Sequence, residues 1–239
     1  FSAISDVRVI WGGDSTINNI KKYQTPPRCI DIAFADRYSL CVINEDFLLK
    51  QNTSEIVALI ERFYNDTFVM DQNACSSPHL IVWLGNKKHK AKNQFWKLLD
   101  AHVSKNYSLA NVSAVEKYNK FCHNAIDINI PFELVKHGNH IYRIILDKLP
   151  NNLESFRGNC GYFFEYRTKE LNEISFVINN KFQTLTYYGL DKLFLKDFVI
   201  KNRLNGIDRI VPIGQALDIS LTWDGFDIIE TLSRIVDYN

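Results

Sequence analysis

The sequence lacks any long hydrophobic run, and this absence excludes a membrane-spanning helix. No apolar stretch among the 239 residues approaches the roughly 18 residues needed to cross a bilayer, and no signal-peptide pattern is present. Strong charge of either sign is also missing, because 28 Lys and Arg residues against 27 Asp and Glu residues leave a net charge of +1. Neither nucleic acid nor an anionic membrane is therefore expected as a partner.

Paired metal-binding or disulfide-forming motifs are absent as well. The five cysteines are an odd number without CxxC spacing, in a chain too long to need disulfides, which indicates a reducing cytoplasm and argues against a cysteine zinc site. The six histidines show neither HExxH nor another paired spacing. We therefore predict no metal site.

Phosphate-binding glycine motifs are missing too. Gly12-Gly13 follows a predicted strand and precedes a predicted helix, so its amides could in principle hold an anion. It has neither the GxGxxG nor the GxxxxGK[ST] spacing, and a plain tight turn is the preferred interpretation. The chain begins with Phe1, and Met70 is its only methionine, which we interpret as an internal piece of a longer polypeptide.

What the chain does have is apolar content for a core, with 46% hydrophobic and 13% aromatic residues. Strand-like and helical patterns alternate, which predicts an α/β fold with an open, twisted, largely parallel sheet flanked by helices. The predicted strands cover residues 7–11, 30–34, 39–43, 80–84, 140–146, 161–166, 182–187 and 206–211. The predicted helices cover residues 14–22, 54–70, 89–105, 111–123, 168–178, 190–201 and 226–236.

Two local patterns accompany these elements. Asn52 and Glu55 have the spacing of a capping box at the start of the helix at 54–70. The basic run 87–92 opens the next predicted helix, and we expect a solvated face there.

Cys75 stands out among the cysteines because it lies at a corner between a predicted helix and a predicted strand. A thiol held there is within reach of a substrate, whereas a thiol in the middle of an element is a small apolar filler. Cys29 and Cys41 fall in or beside apolar strands, and Cys122 ends an amphipathic helix, so core positions are expected for them. Cys160, in a glycine-containing loop, is the rival nucleophile.

The residues alone leave the function open. Cys75 could be a catalytic nucleophile, for example in a cysteine hydrolase or acyltransferase with His79 or His123 as base. In a non-catalytic interaction domain, all five cysteines would belong to the core and the glycines to turns.

A family resemblance favours a catalytic role for Cys75. Residues 72–75, Gln-Asn-Ala-Cys, resemble the catalytic-cysteine segment of the aldehyde dehydrogenase superfamily, and residues 10–15 are similar to its Glu-Leu-Gly-Gly-Lys-Ser motif. Its later glycine motifs correspond to residues 161–166 and 188–190. A more specific resemblance, to the long-chain acyl-CoA (fatty acid) reductases of bacterial bioluminescence, extends over nearly the whole chain. It is carried by residues 7–14, 26–37, 74–78, 209–214 and 223–225.

The resemblance implies an aldehyde-dehydrogenase-like catalytic domain over residues 1–239, without the dinucleotide-binding domain. Cys75 would be the catalytic nucleophile, and Asn73, Ser76, Gly12 and Gly13 would line the site or the oxyanion hole. The implied cofactor is NADPH, with most of its site on the missing domain and no contact assigned in this chain.

One departure from the superfamily bears on the reaction. Ile10 stands where oxidising members carry the glutamate that activates water. Without that base the acyl-enzyme would survive until a hydride arrives, as a reductase requires.

The resemblance also implies partners. The acyl donor would be a long-chain acyl-CoA or acyl-protein, and the aldehyde product would supply luminescence. Acyl-protein synthetase and acyl-transferase subunits of a fatty acid reductase complex would assemble with a homo-oligomeric full-length enzyme in the cytoplasm.

Overall fold

The chain forms two compact units in a computed structural model that describes residues 1–86 and 90–238. The small unit comprises Phe1–Arg37 with Ile219–Asn239, and the large unit comprises Tyr38–Asp218. The strands, numbered in chain order, are β1 Val7–Trp11, β2 Ile30–Phe34, β3 Tyr38–Asn44, β4 Pro78–Leu84, β5 Phe132–His137, β6 Ile141–Leu146, β7 Tyr162–Thr168, β8 Phe182–Tyr188, β9 Arg209–Pro212, β10 Thr222–Trp223 and β11 Phe226–Asp227.

Helices occupy many of the segments between the strands. The α-helices are α1 Asp14–Lys21, α2 Glu45–Leu48, α3 Thr53–Thr67, α4 Lys90–Asn106, α5 Asn111–Asp127, α6 Lys192–Lys201 and α7 Ile228–Thr231, and 3₁₀ helices cover Ser2–Ile4, Leu153–Phe156 and Leu171–Val177. Among the described ranges, no helix is both long enough and apolar enough to cross a bilayer.

A seven-stranded sheet forms the centre of the large unit. Its order is β5-β6-β7-β4-β3-β8-β9, and every neighbouring pair is parallel except β5 with β6. All seven residues of β4 are buried, as expected for a central strand of a parallel sheet that is covered on both faces. The predicted α/β class with a largely parallel sheet is confirmed.

Alternate side chains of β4 enter two separate cores. Leu80 and Val82 pack in one cluster with residues of the Leu171–Val177 helix and α6, while Ile81 and Trp83 pack on the other face under α3 and α4. β4 is therefore packed on both faces of the sheet. The segment that carries Cys75 leads directly into its amino end.

The start and end of α3 are explained by its sequence. The Asn52 side chain accepts the Glu55 amide at 2.9 Å while the Glu55 carboxylate accepts the Asn52 amide at 2.8 Å, which confirms the predicted capping box. The helix ends at Thr67, earlier than predicted. Just beyond it, Asp71 and Gln72 adopt left-handed backbone with φ of +50° and +58°, which no helix can continue through.

The predicted helix at 168–178 is wrong. Thr168 ends β7, and its hydroxyl accepts the Glu170 amide in a turn. After this turn the chain forms the 3₁₀ helix Leu171–Val177, whose buried residues Leu171, Ile174 and Val177 are spaced three apart. That spacing matches three residues per turn and not 3.6.

The predicted helix at 226–236 is also wrong over most of its length. Asp224 and Gly225 take φ of +54° and +83° and join β10 to β11 as a tight hairpin, the turn that Asp-Gly favours. Only α7 remains helical. The short hairpin strand β5 was not predicted either; it turns into β6 through Gly138 at φ +54°.

The solvated face expected for the basic run is wrong at Lys92. Residues 87–89 of that run lie outside the described residues. Lys92 is buried, and its Nζ lies 3.7 Å from the buried Glu165 carboxylate. The apolar stem of lysine lets it cover a core while its charge meets a partner.

Candidate active site

Cys75 lies in a short loop, residues 68–77, between α3 and the amino end of β4; we call it the Cys75 loop. Its side chain is half-buried. The Ser77 amide donates to the Ala74 carbonyl at 3.1 Å, so Cys75 and Ser76 are the central residues of a tight turn. The Ser39 hydroxyl donates to the Cys75 carbonyl at 2.7 Å. The backbone that carries this half-buried cysteine is therefore fixed from both sides.

The loop is also hydrogen-bonded to the end of α3. The backbone N–H of Gln72 donates to the Thr67 carbonyl at 2.6 Å, and the Ser77 hydroxyl donates to the Asp66 carbonyl at 2.7 Å. The fully buried Gln72 side chain hydrogen-bonds the backbone of Tyr162 at the start of β7. These contacts hold the loop to α3 and to the sheet.

Of the predicted site-lining residues, Asn73 and Ser76 share this loop with Cys75. Asn73 is exposed; its carbonyl accepts from Arg157 at 2.8 Å and its side-chain oxygen accepts from Asn159 at 3.1 Å. Ser76 is buried, and its amide donates to no acceptor within the described ranges.

Gly12 and Gly13 belong to the small unit. Gly13 is the N-cap of α1 with φ of −64°. The Asp36 carboxylate accepts the Asp14 amide at 3.2 Å, so a negative charge already occupies the helix N-terminus. This arrangement fits the tight-turn interpretation and opposes an anion there.

A buried carboxylate and a cation flank the Cys75 loop, and sequence reasoning singled out neither as a site residue. The Asp66 carboxylate accepts the backbone amides of Gly214 at 2.6 Å and Ala216 at 2.9 Å. Burial raises the pKa of Asp66 to about 6, although these two hydrogen bonds act to lower it. Arg209 donates to the carbonyls of Ala216 and two neighbouring residues. Burial lowers the Arg209 pKa, opposed by the charges of Asp218, Asp66 and Cys75. A guanidinium is thus within electrostatic reach of the thiol.

His79 does not fit the role of an activating base. It is completely buried and stacks on Tyr38 with ring centroids 5.3 Å apart. Burial, reinforced by the charge of Arg157, lowers the His79 pKa well below its usual value. Neither ring nitrogen reaches a hydrogen-bond partner in the described chain. His123 is exposed on α5.

Cys160, the rival nucleophile, is buried. It has φ of +57°, its amide donates to Asp71, and its carbonyl accepts from the Lys117 ammonium at 2.6 Å. Burial lowers the Lys117 pKa to about 8. Of the expected core cysteines, Cys41 is fully buried, whereas Cys29 and Cys122 are half-buried. Cys160 is part of the packing that supports the Cys75 loop.

No group of three or more potential metal-binding His, Cys, Asp or Glu side chains occurs in residues 1–86 and 90–238. All five cysteines fall in these ranges, and none forms a disulfide. The chemistry that the site offers is that of a thiol, a nearby amide and a nearby guanidinium.

The fold is that of the aldehyde dehydrogenases. A benzaldehyde dehydrogenase from Corynebacterium glutamicum superposes with a TM-score of 0.54 at 10% identity, over 89% of this chain and 47% of that one. A 1-pyrroline-5-carboxylate dehydrogenase from Thermus with bound NAD gives 0.57 at 11% identity, over 92% and 45%. At these identities the likeness establishes the fold alone.

The sequence defines the family more narrowly. The family model described as Acyl-CoA reductase (LuxC) matches residues 1–235. The chain therefore belongs to the acyl-CoA reductase (LuxC) family. It is 25% identical to the long-chain acyl-protein thioester reductases of Photorhabdus laumondii subsp. laumondii and Photorhabdus luminescens, in each case over 98% of this chain and 46% of the relative. It spans about half the length of these curated relatives.

Proposed function

We propose that this chain carries the acylated cysteine of a long-chain acyl thioester reductase that forms fatty aldehyde for luminescence. The observation that carries the proposal is the position of Cys75: half-buried, in a turn fixed by Ser39 and Ser77, in a chain of the acyl-CoA reductase family. The names of the Photorhabdus relatives support the same substrate class.

In the first step the Cys75 thiolate attacks the carbonyl carbon of the acyl thioester. A new carbon–sulfur bond forms, the bond to the donor sulfur breaks, and the departing thiolate takes a proton from solvent. An unperturbed cysteine with a pKa of about 8.5 is mostly protonated at neutral pH. The guanidinium of Arg209, which interacts electrostatically with Cys75, would favour the ionised thiol.

The tetrahedral intermediate carries a negative oxygen that needs a hydrogen-bond donor. The Ser76 amide, which has no acceptor in the described chain, is the donor we propose, with the exposed Asn73 side chain lining the same site. Loss of one such donor typically raises the barrier by roughly 3 kcal/mol.

By the family resemblance, Ile10 stands where oxidising members of the superfamily carry the water-activating glutamate. The Ile10 side chain is apolar and buried. A hydrocarbon side chain accepts no proton from water. We propose that the acyl-enzyme therefore persists until it is reduced to aldehyde, which releases Cys75.

NADPH is the reductant we propose from the family. The turn at Gly12-Gly13 does not fit its phosphates: the N-terminus of α1 is occupied by Asp36, and the sequence has no glycine fingerprint. We therefore assign none of the described residues to the cofactor.

The wider setting is part of the same proposal. Long-chain acyl-CoA or acyl-protein is the donor, and the full-length enzyme is a homo-oligomer that works with acyl-protein synthetase and acyl-transferase subunits in the cytoplasm. The absence of disulfides among the cysteines is compatible with that compartment.

The test is covalent labelling of the full-length protein with radiolabelled palmitoyl-CoA. Cys75→Ala should abolish the thioester-bound label, whereas Cys122→Ala, which removes another half-buried thiol of the large unit, should label like the natural protein. Undiminished label in Cys75→Ala rules the mechanism out. Fatty acid released from palmitoyl-CoA without any nicotinamide would instead favour the cysteine hydrolase.

A further inference from the structure

The Gln72 carboxamide uses its full hydrogen-bonding capacity on backbone groups. Its Nε2 donates to the carbonyls of Pro78 and Tyr162, each at 3.0 Å. Its Oε1 accepts the amides of Gly161 at 3.1 Å and Tyr162 at 2.8 Å. A carboxamide has two donor hydrogens and two acceptor lone pairs, so this fully buried side chain has all four satisfied.

These bonds close a ring around the nucleophile. Gln72 precedes Cys75 by three residues, and Pro78 comes three residues after it, so the side chain joins the two ends of the segment that contains the thiol. The backbone of Gln72 is left-handed with φ of +58°, a conformation that is unfavourable for a residue with a side chain. Such a conformation persists where the surroundings determine it several times over.

The other end of the bridge is closely packed. Gly161 has φ of +85°, and a Cβ there would lie 2.2 Å from the His140 carbonyl oxygen, so its backbone is packed directly against the chain before β6. The next residue, Tyr162, is the first of β7 and is fully buried. Gln72 therefore ties the Cys75 turn to the rigid amino edge of the sheet.

We propose that Gln72 is a positioning residue for Cys75, holding the thiol in the geometry needed for acyl transfer without contacting the substrate. This inference rests on the proposed function of Cys75. The role requires a carboxamide, since the bridge needs donors and acceptors in one planar group. Ionised glutamate of the same size would present only acceptors to the carbonyls of Pro78 and Tyr162.

The experiment measures single-turnover acylation of the full-length protein by radiolabelled palmitoyl-CoA, over a range of donor concentrations. Gln72→Glu should lower the maximal acylation rate by about 10- to 100-fold, the scale of a misplacement of ~1 Å. The donor concentration for half-maximal rate should stay within about twofold, because Gln72 does not touch the donor. Gln72→Met, which has no charge, should lower the rate in the same way.

The matched control is Asn179→Asp. Asn179 is a half-buried carboxamide of the large unit that donates to the Glu154 carboxylate at 3.2 Å and accepts the Lys181 amide at 2.9 Å, and neither bond involves the Cys75 loop or Tyr162. It should reduce the unfolding midpoint as the Gln72 variants do, while its acylation rate stays within about twofold of the natural protein.

The outcomes separate the two proposals. If the natural protein acquires no label on Cys75, the proposed function fails. If it does, and both Gln72 variants acylate at the natural rate, only the positioning role fails. The positioning role would also be overturned by equal rate losses in Asn179→Asp and the Gln72 variants. A change in the half-maximal donor concentration alone, with the maximal rate unchanged, would overturn it too. If Gln72→Glu does not fold, Gln72→Met decides.

Discussion

The buried carboxylate of Glu165 supports one sharp prediction about stability. Its Oε1 accepts from Arg143 at 2.6 Å, and its Oε2 accepts the indole N–H groups of Trp83 at 2.7 Å and Trp96 at 3.0 Å. The ammonium of Lys92 lies 3.7 Å from the same oxygen. The side chains of Glu165, Arg143 and Lys92 are 1%, 6% and 7% exposed, so solvent screens these charges only weakly.

Glu165→Gln keeps the shape of the side chain and removes its charge. Two unit charges about 4 Å apart attract by about 4 kcal/mol at an effective dielectric constant of about 20. Removal of one partner of a buried pair destabilises proteins by about 3–5 kcal/mol, since the other charge stays buried and uncompensated. We expect a loss in this range, a large share of the roughly 5–15 kcal/mol that typically stabilises a domain.

Urea unfolding followed by far-UV circular dichroism measures this loss. Adding Arg143→Met to Glu165→Gln should restore part of the stability, with a coupling of about 0.5–3 kcal/mol. Asp197→Asn, at the exposed Lys201–Asp197 pair, is the control and should cost less than about 1 kcal/mol. A loss below about 1 kcal/mol for Glu165→Gln would refute the reasoning, because Arg143 would then not depend on this carboxylate.

Two further predictions concern pH and backbone geometry. Burial raises the pKa of Asp66 from 3.8 to about 6, so the folded state binds more protons and the free energy of unfolding should rise as pH falls from 6 to 4, by up to about 3 kcal/mol. Asp66→Asn should flatten this segment of the urea-derived stability curve, and an unchanged slope would show that another group titrates. Gly161→Ala should lower the stability by at least about 3 kcal/mol, because the new Cβ lies 2.2 Å from the His140 carbonyl oxygen. Gly138→Ala, also left-handed but with open space around it, should cost about 1 kcal/mol; equal losses for the two would disprove the clash.

Local sequence patterns predicted the parts of the fold that local interactions determine. The capping box at Asn52 acts within one helical turn, and the strand at 80–84 is a continuous apolar run, so both could be predicted. The Asp224-Gly225 hairpin also has a local signal, as does the spacing of three in the Leu171–Val177 helix. Both predictions were wrong because a longer helical pattern was preferred to turn chemistry.

The site was predictable only in part, because most of its contacts join distant positions. Cys75 could be proposed from its place at a corner and from the family resemblance, and its catalytic role stays a prediction. The bonds of Gln72 to Gly161 and Tyr162 cross 89 and 90 residues, and that of Asp66 to Gly214 crosses 148. No periodicity in a single sequence reports such pairings, so the contacts that hold the thiol were visible only in the fold.

A single hydroxyl links the Cys75 turn to a strand on the far side of β3. The Ser39 hydroxyl accepts a hydrogen bond from the Thr184 amide at 3.1 Å and donates one to the Cys75 carbonyl. The peptide group that carries this carbonyl also carries the Ser76 N–H, and consecutive hydrogen bonds polarise one another. Electron density is drawn along the relay from that N–H toward β8, so the amide beside the sulfur becomes a more acidic donor than an isolated one. Replacement of Ser39 by alanine would break the relay without altering any atom of the loop itself.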